Sequence, residues 1–245
     1  MRERLLAWDG CLNVRDLGGL PTEDGSETAW GRVVRSDSVH YLTAAGRDEL
    51  ARFGVSAVLD LRSDGERELA LADALDAEAL HVSVHPEGDD DFWRELDALE
   101  GDAEARMGRF YVESLRRWGD RFAQAVALVA DAPPGAVVVH CQAGRDRTGV
   151  VVALLLRLAG VSIAEIAADY GASSALLEPR WRLWVDDAPD DETRAYRLLT
   201  CETPAPAMRR CLEELEAEHG SVAGFLRAHG LGDGTIERAR DRLRA

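Results

Sequence analysis

The chain contains no lysine: all 29 basic residues among its 245 are arginine. That absence removes Schiff-base chemistry from the possible functions. Cysteine is scarce as well. The four present (Cys11, Cys141, Cys201 and Cys211) form no Cys-x-x-Cys pair and no Cys/His cluster, so a metal site is not expected. Free thiols in a reducing compartment fit that usage better than disulfides. Long hydrophobic runs are missing too. The longest, Gly149 to Leu156, is closed by Arg157 and is too short to cross a bilayer. The apolar stretch around Leu5 and Leu6 is too short for a signal peptide, so a cytoplasmic location is expected. Positive charge is outnumbered, with a formal net charge of −16. Nucleic acid and anionic membrane surfaces are therefore not expected as general partners. Any anion that binds must be held by a local concentration of arginines.

The 46% hydrophobic content supports one domain over residues 1–245 with an ample core. Strand-like and helix-like segments alternate. Arg32 to Arg35, Val55 to Leu59, Leu80 to Val84 and Ala136 to Val139 read as strands. Thr43 caps a helix that stops at Gly54. Ser63 with Glu66, and Ser162 with Glu165, have capping-box spacing, predicting helices to about Asp73 and Gly171. A further helix covers Arg121 to Ala130. The expected fold class is α/β, a largely parallel sheet flanked by helices. Residues 87–117, acid-rich with Phe92, Trp93 and Met107, are expected to form a helical lid. Residues 204–245 read as a helical C-terminal extension, with helices near Ala207–His219, Ser221–His229 and from Thr235.

In parallel sheets ligands sit beyond the carboxyl ends of the strands. Arg35-Ser36, Asp60-Leu61-Arg62, His85 and His140-Cys141 should converge on one such edge. The run His140-Cys141-Gln142-Ala143-Gly144-Arg145-Asp146-Arg147-Thr148 joins the Ala136–Val139 strand to an apolar helix. Strand, tight loop and helix make an oxyanion cradle, because backbone N–H groups turn inward at the helix N-terminus. Arg147 adds a bidentate fork. A cysteine at the base of that cradle sits in a positive field that favours the thiolate. Such an arrangement suits phosphoryl transfer through a phosphocysteine.

The segment Cys141-x-x-Gly144-Arg145-x-Arg147-Thr148-Gly149 resembles the signature of the cysteine-dependent protein tyrosine phosphatases. With His140, Ala143 and Asp146 it is similar to an atypical bacterial branch active on phosphotyrosine, phosphoserine/threonine and phosphoinositides. Asn13 to Gly19, Arg35-Ser36, Asp60 to Ser63, Asp169-Tyr170 and Gly220 to Leu226 look like further motifs of that branch. The likeness therefore runs from about residue 11 to the end. The branch usually carries lysine where this chain has Arg145.

The resemblance implies a tyrosine-phosphatase-like fold, no cofactor, and a phosphorylated protein or phosphoinositide as substrate. Cys141 is the expected nucleophile. Arg147 is expected to bind phosphate oxygens, and Gln142, Ala143, Gly144 and Arg145 to supply the rest of the cradle, with Arg62 nearby. Thr148 either hydrogen-bonds the thiolate or caps the helix. His140 braces the loop. Trp-Pro-Asp, which carries the general acid of ordinary tyrosine phosphatases, is absent. Ala188-Pro189-Asp190 lies downstream and reads as a decoy. Asp146 and Asp60 are the candidates for the acid, with Asp146 favoured. Asn13 to Gly19 read as structural, with Arg15 paired to Asp16. Other readings are a soluble inositol polyphosphate or small phosphomonoester as substrate, and a non-catalytic phosphate-binding module. Arsenate-reductase or rhodanese chemistry wants a second cysteine close after Cys141, and there is none.

Overall fold

The computed structural model describes residues 3–67, 75–98 and 101–244. A five-stranded sheet lies at its centre: β1 (Arg15–Asp16), β2 (Val33–Ser36), β3 (Val55–Asp60), β4 (Glu78–His81) and β5 (Ala136–His140). The spatial order is β1-β2-β5-β3-β4. Only β1 is antiparallel to its neighbour; the other pairings are parallel. The α/β class with a largely parallel sheet is thus the observed architecture. β5 is buried along its whole length. Its side chains alternate between the two faces, as the period of a strand requires. Val137 and Val139 join one apolar cluster, and Ala136 and Val138 the other.

The larger cluster is covered by α3 (Ala103–Asp131), α4 (Asp146–Leu158), α8 (Ala205–His219), α9 (Val222–Ala228) and α10 (Asp233–Arg242). The smaller one is closed by α1 (Ala44–Phe53), whose Leu50 is buried there. Thr43 caps α1 by accepting from the Gly46 N–H, and Gly54 ends it in the left-handed conformation at φ 85°. Ser162 caps α5 (Ile163–Gly171) in the same way, through the Glu165 N–H. The three C-terminal helices lie close to where the sequence places them. Among the described residues, no helix is long and apolar enough to cross a membrane.

Several elements differ from expectation. The fourth strand covers Glu78–His81 and not Leu80 to Val84. Its partner β3 ends at Asp60, so beyond Val82 N–H, which bonds the Asp60 carbonyl, the chain has no ladder to follow. The helix expected over Arg121 to Ala130 is the last third of α3, a 29-residue helix kinked at Trp118. The expected lid therefore comprises α2 (Asp90–Asp97) and the first half of α3. The turn at Ser63 is a short 3-10 helix over Gly65–Arg67; the rest of the expected helix falls on 68–74, outside the described residues. An unanticipated helical pair follows α5: α6 (Ser173–Asp186) and α7 (Asp191–Cys201). Pro179 inside α6 and the exposed Leu183, Tyr196 and Leu198 hide the apolar stripe that would have announced them. Asp190 caps α7 through the Thr193 N–H.

Candidate active site

Register brings the strand ends together. Ser36 and Asp60 both pair with His140, so β2, β5 and β3 end at one level. The loop from Cys141 to Arg145 leaves that edge and enters α4. Among the described residues no side chain caps α4. The amides of its first turn stay available to an anion.

The loop's carbonyls point the other way, and each has a donor behind it. The Leu61 N–H bonds the His140 carbonyl, and the Ser38 N–H bonds that of Gln142. His140 Nδ1 is 3.0 Å from the Cys141 carbonyl and must carry the proton there. Asn13 Nδ2 reaches the carbonyls of both Ala143 and Gly144, and Arg35 Nη2 adds a second bond to Gly144. Peptide planes whose C=O groups are turned outward present their N–H groups inward. Gly144 sits at φ 65°, and a Cβ there would lie 2.2 Å from the Ser36 carbonyl oxygen.

Arg35 and Arg15 are anchored in turn on Asp169 of α5, which lies almost wholly buried beneath the loop. Arg35 Nη1 is 2.7 Å from its carboxylate and Arg15 Nε 3.4 Å, with Arg4 as a third partner at 2.5 Å. Burial opposes the charge of Asp169, but Arg15, Arg35 and Arg4 together hold its carboxyl well below the usual range. Arg15 is pushed down to about 10 by burial and by Arg35. The expected Arg15–Asp16 pair is not formed. Asp16 instead accepts from the Gly18 and Gly31 N–H groups.

Cys141 is buried at the base of the loop. Arg147 pairs end-on with Glu66, Nη1 to Oε2 at 2.5 Å and Nη2 to Oε1 at 2.8 Å. This uses one N–H of each Nη. The Nε edge still presents two parallel N–H groups, the fork that phosphate oxygens take. Burial works against both charges. The pair overrides it, drawing Glu66 down to about 2 and Arg147 above its ordinary value, with Cys141 contributing. In the sequence Glu66 stands only as a capping-box partner of Ser63. It does cap, through the Ser63 N–H, but its other task follows from lying on the edge that Arg147 faces.

A cavity of about 350 Å³ opens above Arg147, lined also by Ser63, Glu66, His85, Trp93, Phe110 and Asp146. Burial and the nearby Arg147 push His85 down to about 3, so its ring is neutral at neutral pH. Asp146 reaches this cavity from the first turn of α4. Tyr111 OH is 2.5 Å from its Oδ1, and Tyr170 stands behind Tyr111. Burial would raise the Asp146 carboxyl, but Arg145 and Tyr111 hold it below its ordinary value.

Asp60 is differently placed. Arg62 takes it through its backbone N–H, Nε and Nη2, and His140 Nε2 lies 4.0 Å away. Neither Asp60 nor Arg62 lines the cavity. Arg62 is spent on Asp60, His40 and the Glu66 carbonyl. Gln142 donates to Tyr41 OH. Arg145 faces Asp146 and the end of α7, and lines a second cavity of about 170 Å³ together with Met107 and Leu199. Thr148 Oγ1 is buried with no hydrogen-bond partner among the described residues, and it does not cap α4, whose N-cap is Arg145. Of the expected lid, Trp93 and Phe110 line the cavity above Arg147 while Phe92 packs into the core. Among the described residues no group of His, Cys, Asp or Glu is arranged to hold a metal ion.

The profile of the tyrosine phosphatase family matches residues 6–245. A tyrosine-protein phosphatase of Nostoc commune is 30% identical over 228 residues, which is 86% of this chain and 73% of that protein. A triple-specificity protein phosphatase of Mycobacterium tuberculosis is 29% identical over 279 residues, covering 94% of this chain and 98% of its own.

Proposed function

This chain belongs to the tyrosine phosphatase family, and from that premise we propose that it hydrolyses phosphotyrosine without a metal, through a phosphocysteine on Cys141. The observation that carries this reading is the loop whose carbonyls are all engaged from outside while Cys141 sits at its base and Arg147 at its rim. In the first step Cys141 Sγ attacks phosphorus, an S–P bond forms and the ester P–O bond breaks. The departing oxygen takes the proton of the protonated form of Asp146, a minority form near neutral pH because Arg145 and Tyr111 hold that carboxyl below its ordinary value. In the second step water attacks the phosphocysteine and gives a proton to the Asp146 carboxylate. The S–P bond breaks, releasing inorganic phosphate and the thiolate. The loop amides and the Nε edge of Arg147 stabilise the equatorial oxygens in both steps. Asp146 is preferred as the acid because it lines the cavity, whereas Asp60 does not line it and is paired with Arg62.

The cavity wall favours an aryl ester. Trp93 and Phe110 flank it, and Arg147 is its one cation among the described residues, beside Glu66, Glu87 and Asp146. A soluble inositol polyphosphate would bring its additional phosphates against those carboxylates. The triple specificity named for the Mycobacterium tuberculosis relative fits a range wider than phosphotyrosine, and phosphoserine/threonine and phosphoinositides are the further substrates that the resemblance of the loop implies. Phosphate release across a panel of phosphotyrosine and phosphoserine peptides, a phosphoinositide and an inositol polyphosphate tests the reading. The phosphotyrosine peptide should lead. An inositol polyphosphate ahead of every peptide contradicts it.

A further inference from the structure

Arg145 does more than add charge to the loop. It stands at the N-cap of α4 and is almost fully buried. Its Nε is 3.0 Å from both carboxylate oxygens of Asp146, and Nη2 is 2.9 Å from Oδ2. Its Nη1 points elsewhere, to the Thr200 carbonyl at 2.6 Å and the Glu202 carbonyl at 3.5 Å. These are the last residue but one of α7 and its C-cap. Carbonyls at a helix C-terminus carry partial negative charge and lack intrahelical donors. The guanidinium therefore serves the Asp146 carboxylate in one direction and the two α7-end carbonyls in another, with the Trp181 ring of α6 at 5.5 Å. An ammonium group, a compact point charge, does not span both.

The geometry points to Arg145 as a positioning residue that ties the carboxylate of Asp146 to the docked C-terminal end of α7. The inference rests on Asp146 acting as the general acid. While α7 is docked, the fork is held square to the carboxylate. When the end of α7 lifts, the guanidinium loses its second anchor and its hold on Asp146 slackens. The proton affinity of Asp146 thereby follows the position of a helix that, among the described residues, makes no hydrogen bond or ion pair with Cys141 or Arg147. The other groups facing Asp146 are Tyr111 of α3, Tyr170 of α5, Arg147 of α4, His85, Glu66 and Glu87 across the cavity, and Tyr196 of α7 in the adjoining one. Arg106 of α3 lines the adjoining cavity. Of the influences that oppose burial at Asp146, Arg145 is the first.

The test compares wild type, Asp146→Asn, Arg145→Met and Arg145→Lys. Two quantities are read: the alkaline limb of kcat/KM on a phosphotyrosine peptide, and amide hydrogen exchange over residues 191–201. Asp146→Asn should abolish the limb. Arg145→Met should move it to higher pH by about one unit, the scale on which a neighbouring charge acts. It should also speed exchange in α7 by about fivefold, the factor that loss of one ordinary hydrogen bond implies. Arg145→Lys, which keeps the charge and the fold, should loosen α7 while moving the limb less. A limb that stays in place in Arg145→Met, or α7 exchange unchanged in both Arg145 variants, overturns the tie. A wild-type limb that survives Asp146→Asn overturns the acid assignment first, and the tie with it.

Discussion

Replacing Asp169 by asparagine should cost more stability than any other isosteric change near the site. Three guanidinium groups converge on this carboxylate, at 2.5, 2.7 and 3.4 Å, and only Arg4 is appreciably exposed. Asparagine keeps the shape and one acceptor oxygen but leaves the arginines without a counter-charge. Removing one partner of a buried ion pair costs about 3–5 kcal/mol. Because the amide still accepts a hydrogen bond, we expect about 3 kcal/mol, a large share of a typical 5–15 kcal/mol total. For a chain of this size that corresponds to a fall in Tm of about 6–12 °C. The sign with pH follows from the depressed native carboxyl of Asp169. Its contribution is fully present above the unfolded value of about 4 and is lost as the pH falls toward the native one. Denaturant unfolding of both proteins across that range is the assay. The gap should be widest at neutral pH and narrow in acid. A neutral-pH gap below about 1 kcal/mol, or one that widens in acid, refutes the reasoning. Loss of this anchor should also weaken product inhibition by phosphate, since Arg35 holds the Gly144 carbonyl from the same site.

The remaining predictions concern the reacting groups. Glu66→Gln should lower kcat/KM by about 5–30-fold, because the half-exposed pair that squares Arg147 to phosphate is worth about 1–2 kcal/mol; tighter phosphate binding in the variant would mean that Glu66 blocks the arginine. Gly144→Ala should cut turnover by about 100-fold or more with an unchanged circular dichroism spectrum, since a Cβ 2.2 Å from a backbone oxygen displaces the loop. Asp146→Asn should lower kcat on phenyl phosphate more than Asp60→Asn does, and the difference should shrink on p-nitrophenyl phosphate, whose leaving group needs no proton. The reverse ranking would give the acid role to Asp60.

The loop was legible in the sequence because its chemistry is local. A cysteine, a glycine and an arginine at fixed spacing between a valine-rich strand and an apolar helix state their geometry outright. The parallel sheet and the edge where Asp60 and His140 meet were legible from period and strand order. What was not legible is long-range pairing among arginines. Glu66 and Arg147 are 81 residues apart, and Arg15 and Asp169 are 154 apart. With no lysine and acids in excess, charge alone does not say which acid each arginine meets. The α6–α7 pair was missed for a different reason: its outward face mixes Leu183, Tyr196 and Leu198 with charged residues, so its helical period carries little contrast.

The most direct test of the account is whether phosphate passes through Cys141. Wild type and Cys141→Ser would each be mixed with a phosphotyrosine peptide in EDTA, quenched in acid during turnover, and measured by intact-mass and peptide mass spectrometry. The account predicts steady phosphate release by wild type, a phosphoryl group on the peptide containing Cys141, and neither in the variant. Undiminished phosphate release by Cys141→Ser would contradict it.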